Sequence, residues 1–476
     1  MADMDRTEEE KGLLGGKKIS RRDFLKVAGA TGATIGLATG LGGFIAACEE
    51  KEDGGTATTT GNGAAADGRE IKIGFVSPIS GGIAPFGEAD AYCAERAAEA
   101  IGDGIVCGDG KKHPVTILTK DSQSLPATAG QMAADLINND QVDIVVTAST
   151  PDTVVPVATK CETLEVPCLS NDCPWQPYID RTNTGDFSVN YKWTYHAFWG
   201  LEDVITNFSD MWGQLVTNNK VGATWSNDPD GQAWMNGWGN AFGALGLAAT
   251  IPSQFTVGAQ SFSTQINQYL ADGCEIGVGM FIPPDMGTFW GEVHQLGWQP
   301  KVASFGKGLL FPSVVEGLTN GGEGLTTEVW WMPTHPFTSS LNGETCQQFA
   351  DKWTEKTGAQ WTQPLLHFII FEWAVDVLQR CTDPDDKEAI MTAVKATNLD
   401  TIGGKLDFTA PVTATSPAEW TPGPQHIHEN VYKTPQVGGQ WRKGTTYKAE
   451  LTVVSNAACP NSGIEVGDSV KELVWS

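Results

Sequence analysis

Short runs of consecutive apolar residues alternate along this chain with longer stretches of helical periodicity, beginning at Glu70. Residues 71–76 form an apolar β-run that Ser77-Pro78 ends, and residues 89–101 are an alanine-rich helix. Strands follow over 115–119, 143–147 and 166–169, with helices over 126–138 and 153–164 between them. Apolar strands separated by helices predict a parallel sheet covered on both faces. The alternation then restarts, with strands over 220–225, 253–257, 276–281 and 301–305 and helices over 231–245, 263–272 and 286–296. Two successive units of this kind predict an α/β molecule of two doubly wound parallel-sheet lobes. Lobe I is expected at 69–190 and 326–400, and lobe II at 191–325 and 401–476. Ligand chemistry belongs in the crevice at the carboxyl ends of the strands.

The first residues follow a different pattern. Arg21-Arg22 precede an apolar, glycine-rich stretch over 27–47 that ends Ile45-Ala46-Ala47-Cys48. This resembles a twin-arginine export signal followed by a lipoprotein cleavage box. The resemblance implies that Arg21 and Arg22 are read by the export route and that the Cys48 thiol takes a diacylglyceryl group. Residues 1–47 are then a signal peptide. Residues 48–68 have no large apolar side chain to bury and read as a flexible tether. A chain so anchored works on the outer side of the cytoplasmic membrane, where its partners are solutes and other membrane-bound proteins. The longest later apolar run, 365–378, is broken by His367, Glu372 and Asp376 and does not suit a membrane span. The formal charge of −26 barely depends on the signal and makes nucleic acid and bare anionic lipid poor partners.

Of ten cysteines, nine remain once Cys48 is lipidated, and an oxidising compartment predicts disulfides with at least one odd thiol. Cys93 with Cys107, and Cys346 with Cys381, are the preferred pairs. Cys161, Cys168 and Cys173 stand too close together for sequence to assign. A zinc site has little support, since no C-x-x-C pair is present and the seven histidines are scattered. His426-x-His428, the one close pair, reads as two exposed strand residues.

Residues 71–87 look like the opening strand and first loop of the branched-chain amino acid type of extracytoplasmic solute-binding protein. Residues 120–124, 142–150 and 166–170 fit the following segments in order, and 283–297 fits the second lobe. The resemblance runs from Glu70 to about Asn430. It implies the type I periplasmic-binding fold, with no catalysis and no cofactor. It also implies a monomeric receptor of an ATP-binding-cassette importer, whose lobes close about a multi-crossing hinge on a small molecule and present it to membrane permease subunits. Ser80 and Gly81 would line the cleft, unless they serve only a tight turn. Ser149, Thr150 and Ser170 would grip a ligand carboxylate, and plain helix capping explains them equally well.

Between Asp172 and Trp199 the chain departs from an ordinary amino acid receptor, because it crowds rings that include Trp175 and Trp193 toward the hinge. Tyr191, Tyr195 and Trp199 also stand at i, i+4, i+8, the spacing of a core stripe on a helix. Asp228 and Phe281 fall on cleft loops of the second lobe. Lys307 stands near the position where receptors of this type commonly place an acid for the ligand's ammonium. A cation there favours a small organic acid with an aromatic or bulky apolar body. The rival readings are a branched-chain or other amino acid receptor, a ligand-sensing protein of the same fold, and an exported hydrolase. For the last, no G-x-S-x-G elbow or histidine-paired cysteine motif is present.

Overall fold

The computed structural model describes residues 65–413 and 425–475. The export pair Arg21 and Arg22, the lipidation residue Cys48 and most of the tether lie outside the described residues. The end of the expected tether belongs to the fold, since Ala66–Asp67 is a short strand paired in parallel with Lys111 and Lys112.

Two seven-stranded sheets organise the chain. The first runs His426–His428, Val431–Tyr432, Thr194–Ala197, Cys168–Asn171, Ile144–Ala148, Ile71–Ser77, Val115–Asp121. All its pairs are parallel except the hairpin of the first two strands. The strand Ile71–Ser77 is flanked by parallel strands on both sides and buried along nearly its whole length, which is why it reads as a continuous apolar run rather than an alternating one. One face packs on the helices Asp90–Ile101 and Phe368–Arg380, where Phe75 meets Phe371 edge to face at 5.3 Å. The other face meets Pro126–Asn138 and Pro151–Thr163 through Leu136, Val145 and Val157.

The second sheet runs Ala248–Thr250, Lys220–Thr224, Ile276–Phe281, Val302–Lys307, Thr326–Val329, Val437–Lys443, Ala449–Ser455, parallel through the first five strands and antiparallel at the last two. Aromatic side chains fill both of its faces. Trp212 stacks on Trp238 at 5.1 Å beneath the helices Leu201–Gly213 and Pro229–Ala244. Phe281 lies among Phe255, Phe262, Phe289 and Phe305 beneath Ser263–Asp272 and Pro283–Leu296.

The sheets divide the chain at points other than those expected. Thr194–Ala197 and Val431–Tyr432 belong to the first sheet, and Thr326–Val329 belongs to the second. The chain therefore passes between the lobes after Ala197, after Val329 and after Tyr432, rather than at 190, 325 and 400. Residues 194–197 are a strand, so Tyr191, Tyr195 and Trp199 form no helical stripe. The strand expected over 253–257 is replaced by Ala248–Thr250, with Phe255 making only an isolated bridge to Ser226.

A buried ion cluster joins the crossings. Lys433 Nζ lies 2.7 Å from Glu202 Oε1 and 2.8 Å from Asp203 Oδ1, which ties the third connection to the helix that follows the first. Glu202 also accepts from Trp175 Nε1 at 3.0 Å. Gly200 starts that helix because any Cβ there would fall 2.2 Å from Trp175 Nε1.

The nine described cysteines are buried free thiols, so neither expected bridge is present. Cys93 Sγ faces the carbonyl oxygens of Pro364 and Leu365, and Cys346 Sγ faces Ile402 O at 3.4 Å. His426 is buried rather than exposed and its Nδ1 bonds Ala410 O at 2.7 Å. Among the described residues no acidic, histidine or cysteine group has the arrangement of a metal site, and no helix is long and apolar enough to cross a membrane.

Candidate functional site

In lobe I, the strand Ile144–Ala148 delivers the chain into Ser149 and Thr150 and then into a helix whose first residue is Pro151. Proline suits that position because its missing N–H would have no partner in the first turn. Ser149 Oγ and Thr150 Oγ1 are buried and bear no hydrogen-bond partner. The next strand, Cys168–Asn171, ends at Asp172, which takes a left-handed conformation with φ of 58°. Its carboxylate lies 3.0 Å from His367 Nε2, while His367 Nδ1 lies 2.6 Å from Asp90 Oδ1. The His367 ring is nearly parallel to Trp330, 7° between planes and 6.2 Å between centroids.

Lobe II supplies the facing wall. The strand Val302–Lys307 ends at Lys307, also left-handed with φ of 61°, an unusual state for a residue with a long side chain. Its ammonium lies 2.7 Å from Asp230 Oδ2 in the first turn of Pro229–Ala244, and its N–H donates to Glu328 Oε1 at 3.1 Å. Asp228 caps the same helix by accepting from Gly231 N at 2.7 Å.

These groups converge on a cavity of about 20 Å³, enough for one water molecule. Phe86, Phe198, Trp199, Trp234 and Trp330 form its apolar walls, and Thr150, Asp172, Asp230, Lys307 and Glu328 are its principal polar groups. The indole N–H groups of Trp199 and Trp330 have no acceptor, nor has Asp230 Oδ1 a donor. From Pro151 and Asp152 a groove of about 740 Å³ with a mixed lining continues between the helices Pro151–Thr163 and Pro229–Ala244, past Asp180, Arg181 and Asp228.

Carboxylates outnumber cations here, and burial sets their protonation. Burial pushes Glu328 up to about 7. It pushes Asp172 to about 7 as well, against the pull of His367. Asp152 rises to about 6 for the same reason, opposed by Lys307. Burial alone would depress Lys307, but Asp230, Asp228 and Asp152 outweigh it and hold the ammonium charged. His367 is likewise depressed by burial, yet Asp90 and Asp172 raise it to about 9, so it is an imidazolium at neutral pH.

Of the residues expected at the site, Thr150 and Lys307 line the cavity, and Asp228 lines the groove. Ser149 lies beneath the wall with its hydroxyl unpaired. Lys307 is not a free cation awaiting a carboxylate, because Asp230 already neutralises it. Ser80 turns to Asp121 at 2.6 Å on the rim, and Gly81 serves the turn, with φ of 96° and no room for a Cβ beside Gln123 O. Ser170 is committed to Tyr195 O and His196 Nδ1 below the cleft. Trp175 belongs to the hinge cluster, Phe281 to the core of lobe II, and Trp193 to the amino end of its strand, where its carbonyl accepts from Cys168 N. Of the rings that face the cavity, Phe198 and Trp199 belong to the aromatic cluster expected near the hinge, whereas Phe86, Trp234 and Trp330 carry no such signal in the sequence. Phe198-Trp199 and Trp330 stand at the crossings themselves.

The sequence pattern of the periplasmic binding protein family matches residues 70–417, and that of a twin-arginine translocation signal matches residues 18–38. No curated protein sequence matches this chain. Among solved structures it is similar to a leucine binding protein from Thermotoga maritima at 17% identity, with a TM-score of 0.64 over 81% of this chain and 99% of that one. A branched-chain amino acid transporter substrate binding protein from Streptococcus pneumoniae, in complex with isoleucine, has 15% identity and a TM-score of 0.65 over 81% and 99%. A solute binding protein of an ABC transporter from Rhodopseudomonas palustris BisB5, in complex with 3,4-dihydroxybenzoic acid, has 14% identity and a TM-score of 0.64 over 82% and 99%. Two parallel-sheet lobes, a cleft where their strands end and a family match across most of the chain agree: the protein belongs to the periplasmic binding protein family, binds rather than transforms its solute, and carries a twin-arginine export signal.

Proposed function

We propose that this protein is the lipid-anchored solute receptor of an ATP-binding-cassette importer, tethered through Cys48 outside the cytoplasmic membrane and working as a monomer with its permease. The solute is a small acid that also carries an amine, with an aromatic or bulky apolar body. The observation that carries this reading is the pairing of a five-ring wall with opposed polar groups, a set that takes such a solute once the lobes part, since the cavity as it stands has room for one water. Unpaired donors at Thr150, Trp199 and Trp330 suit a carboxylate, and the acids Asp172, Asp230 and Glu328 suit an ammonium. A solute bearing a carboxylate alone is the second reading. The unpaired donors favour it, and the spent charge of Lys307 weighs against it.

Thermal melts with L-phenylalanine and L-leucine, each beside its deaminated analogue, test the choice. An amine-bearing acid is expected to bind at least about tenfold more tightly than its analogue, since a charge-assisted hydrogen bond is worth roughly 1.5–3 kcal/mol. Equal binding of the analogue would return the site to simple carboxylates. Cys48→Ala is expected to release the exported protein from the membrane fraction, and continued membrane retention would remove the anchor from the proposal.

A further inference from the structure

Two of the thiols that sequence places in different pairs come together in the fold. Cys107 leaves the short strand Ile105–Val106, and Cys381 ends the helix Phe368–Arg380, 274 positions further on. The N–H of Gly108 donates to the carbonyl of Cys381 at 2.9 Å. A Cβ on Gly108 would lie 2.6 Å from that oxygen and 3.0 Å from Arg380 O, so the two backbones touch here and glycine permits the approach. Both cysteine side chains are buried and belong to the same apolar core cluster. They lie only one residue below the surface, because Val106, Gly108, Thr382 and Asp383 are exposed. A disulfide spans Cα atoms roughly 4.4–6.8 Å apart, the separation that touching backbones provide.

We infer that Cys107 and Cys381 are an oxidation site of the exported protein and form a disulfide that staples the loop after the helix Asp90–Ile101 to the end of the helix Phe368–Arg380. The oxidant is a protein disulfide of the exporting compartment, working by thiol–disulfide exchange. One cysteine thiolate attacks the oxidant's disulfide, displacing one of its sulfurs as a thiolate and forming a mixed disulfide. The second cysteine, as thiolate, attacks its partner's sulfur and displaces the other oxidant sulfur. The two cysteines lose two protons and two electrons, and the oxidant becomes a dithiol. Both ends lie in lobe I, so the bridge leaves all three crossings free to bend.

The full chain, recovered from the exporting compartment and alkylated without reduction, is expected to yield a linked peptide pair carrying Cys107 and Cys381. Reductant is expected to lower the melting temperature by roughly 3–6 °C, as loss of a long-loop bridge does. Cys107→Ala and Cys381→Ala should each abolish the linked peptide, and their melting should no longer respond to reductant. Full alkylation of both residues in the unreduced protein would overturn the inference. A bridge from Cys107 to Cys93, or from Cys381 to Cys346, would overturn it too. Should one variant fail to fold, the peptide map of the unaltered protein still decides.

Discussion

Lys307 shows how one buried contact changes the meaning of a residue. As a free cation it would attract a carboxylate solute, but paired with Asp230 at 2.7 Å it neutralises its own wall. Removing one partner of such a pair leaves a buried charge, so Lys307→Ala is expected to destabilise the fold by roughly 3–5 kcal/mol. Lys307→Met combined with Asp230→Asn should recover most of that loss in urea melts. Equal loss in the single and double variants would show that the pair matters little.

Glu328 supplies a pH dependence with a definite sign. Burial raises it from the ordinary 4.5 to about 7, so the folded state holds its proton more tightly than the unfolded chain does. Its contribution to stability is whole below about pH 4.5 and is lost as pH rises toward about 7. Bound ammonium favours the charged form instead. The stabilisation by an amine-bearing solute is therefore expected to grow between about pH 5 and pH 8, and Glu328→Gln should flatten that growth. A pH-independent effect in both proteins would exclude Glu328 from recognition.

At the scale of elements, most of the architecture is legible because the inner strands of both sheets are apolar and most helices carry an apolar face. The helices Pro126–Asn138 and Ser263–Asp272 and the strand Ile276–Phe281 lie where the pattern puts them. Residues 191–199 do not. Their ring spacing suits a helix, yet pairing with Cys168–Asn171 makes Thr194–Ala197 a strand, an outcome decided by a neighbour in the sheet. The crossings were misplaced for the same reason, since periodicity does not say to which sheet a strand adds. Lys433 is the clearest case, a lone basic residue whose partners lie about 230 positions earlier. Its replacement by methionine leaves Glu202 and Asp203 facing each other without a cation. Denaturant melts of Lys433→Met are expected to show a loss of roughly 3–5 kcal/mol. A loss below about 1 kcal/mol would mean that the cluster does not hold the hinge.

For the whole molecule, the two-lobed plan and the position of the cleft followed from alternating strands and helices, whereas most residues of the cleft did not. Thr150 is legible because it lies just past the end of an apolar strand, and Lys307 because it stands near the place where the resemblance leads one to expect an acid. Trp330 and Glu328 line the cavity with Asp172 from a distant segment, and His367, itself outside the lining, holds Asp172 at 3.0 Å. Capture between moving lobes makes a demand that no single residue meets. Small-angle scattering during titration with the tightest binder among the tested acids measures it directly. Compaction that saturates at one solute per chain, with the solute recovered unchanged, is the predicted result. Saturable binding with no change in the radius of gyration, or conversion of the solute, would contradict it.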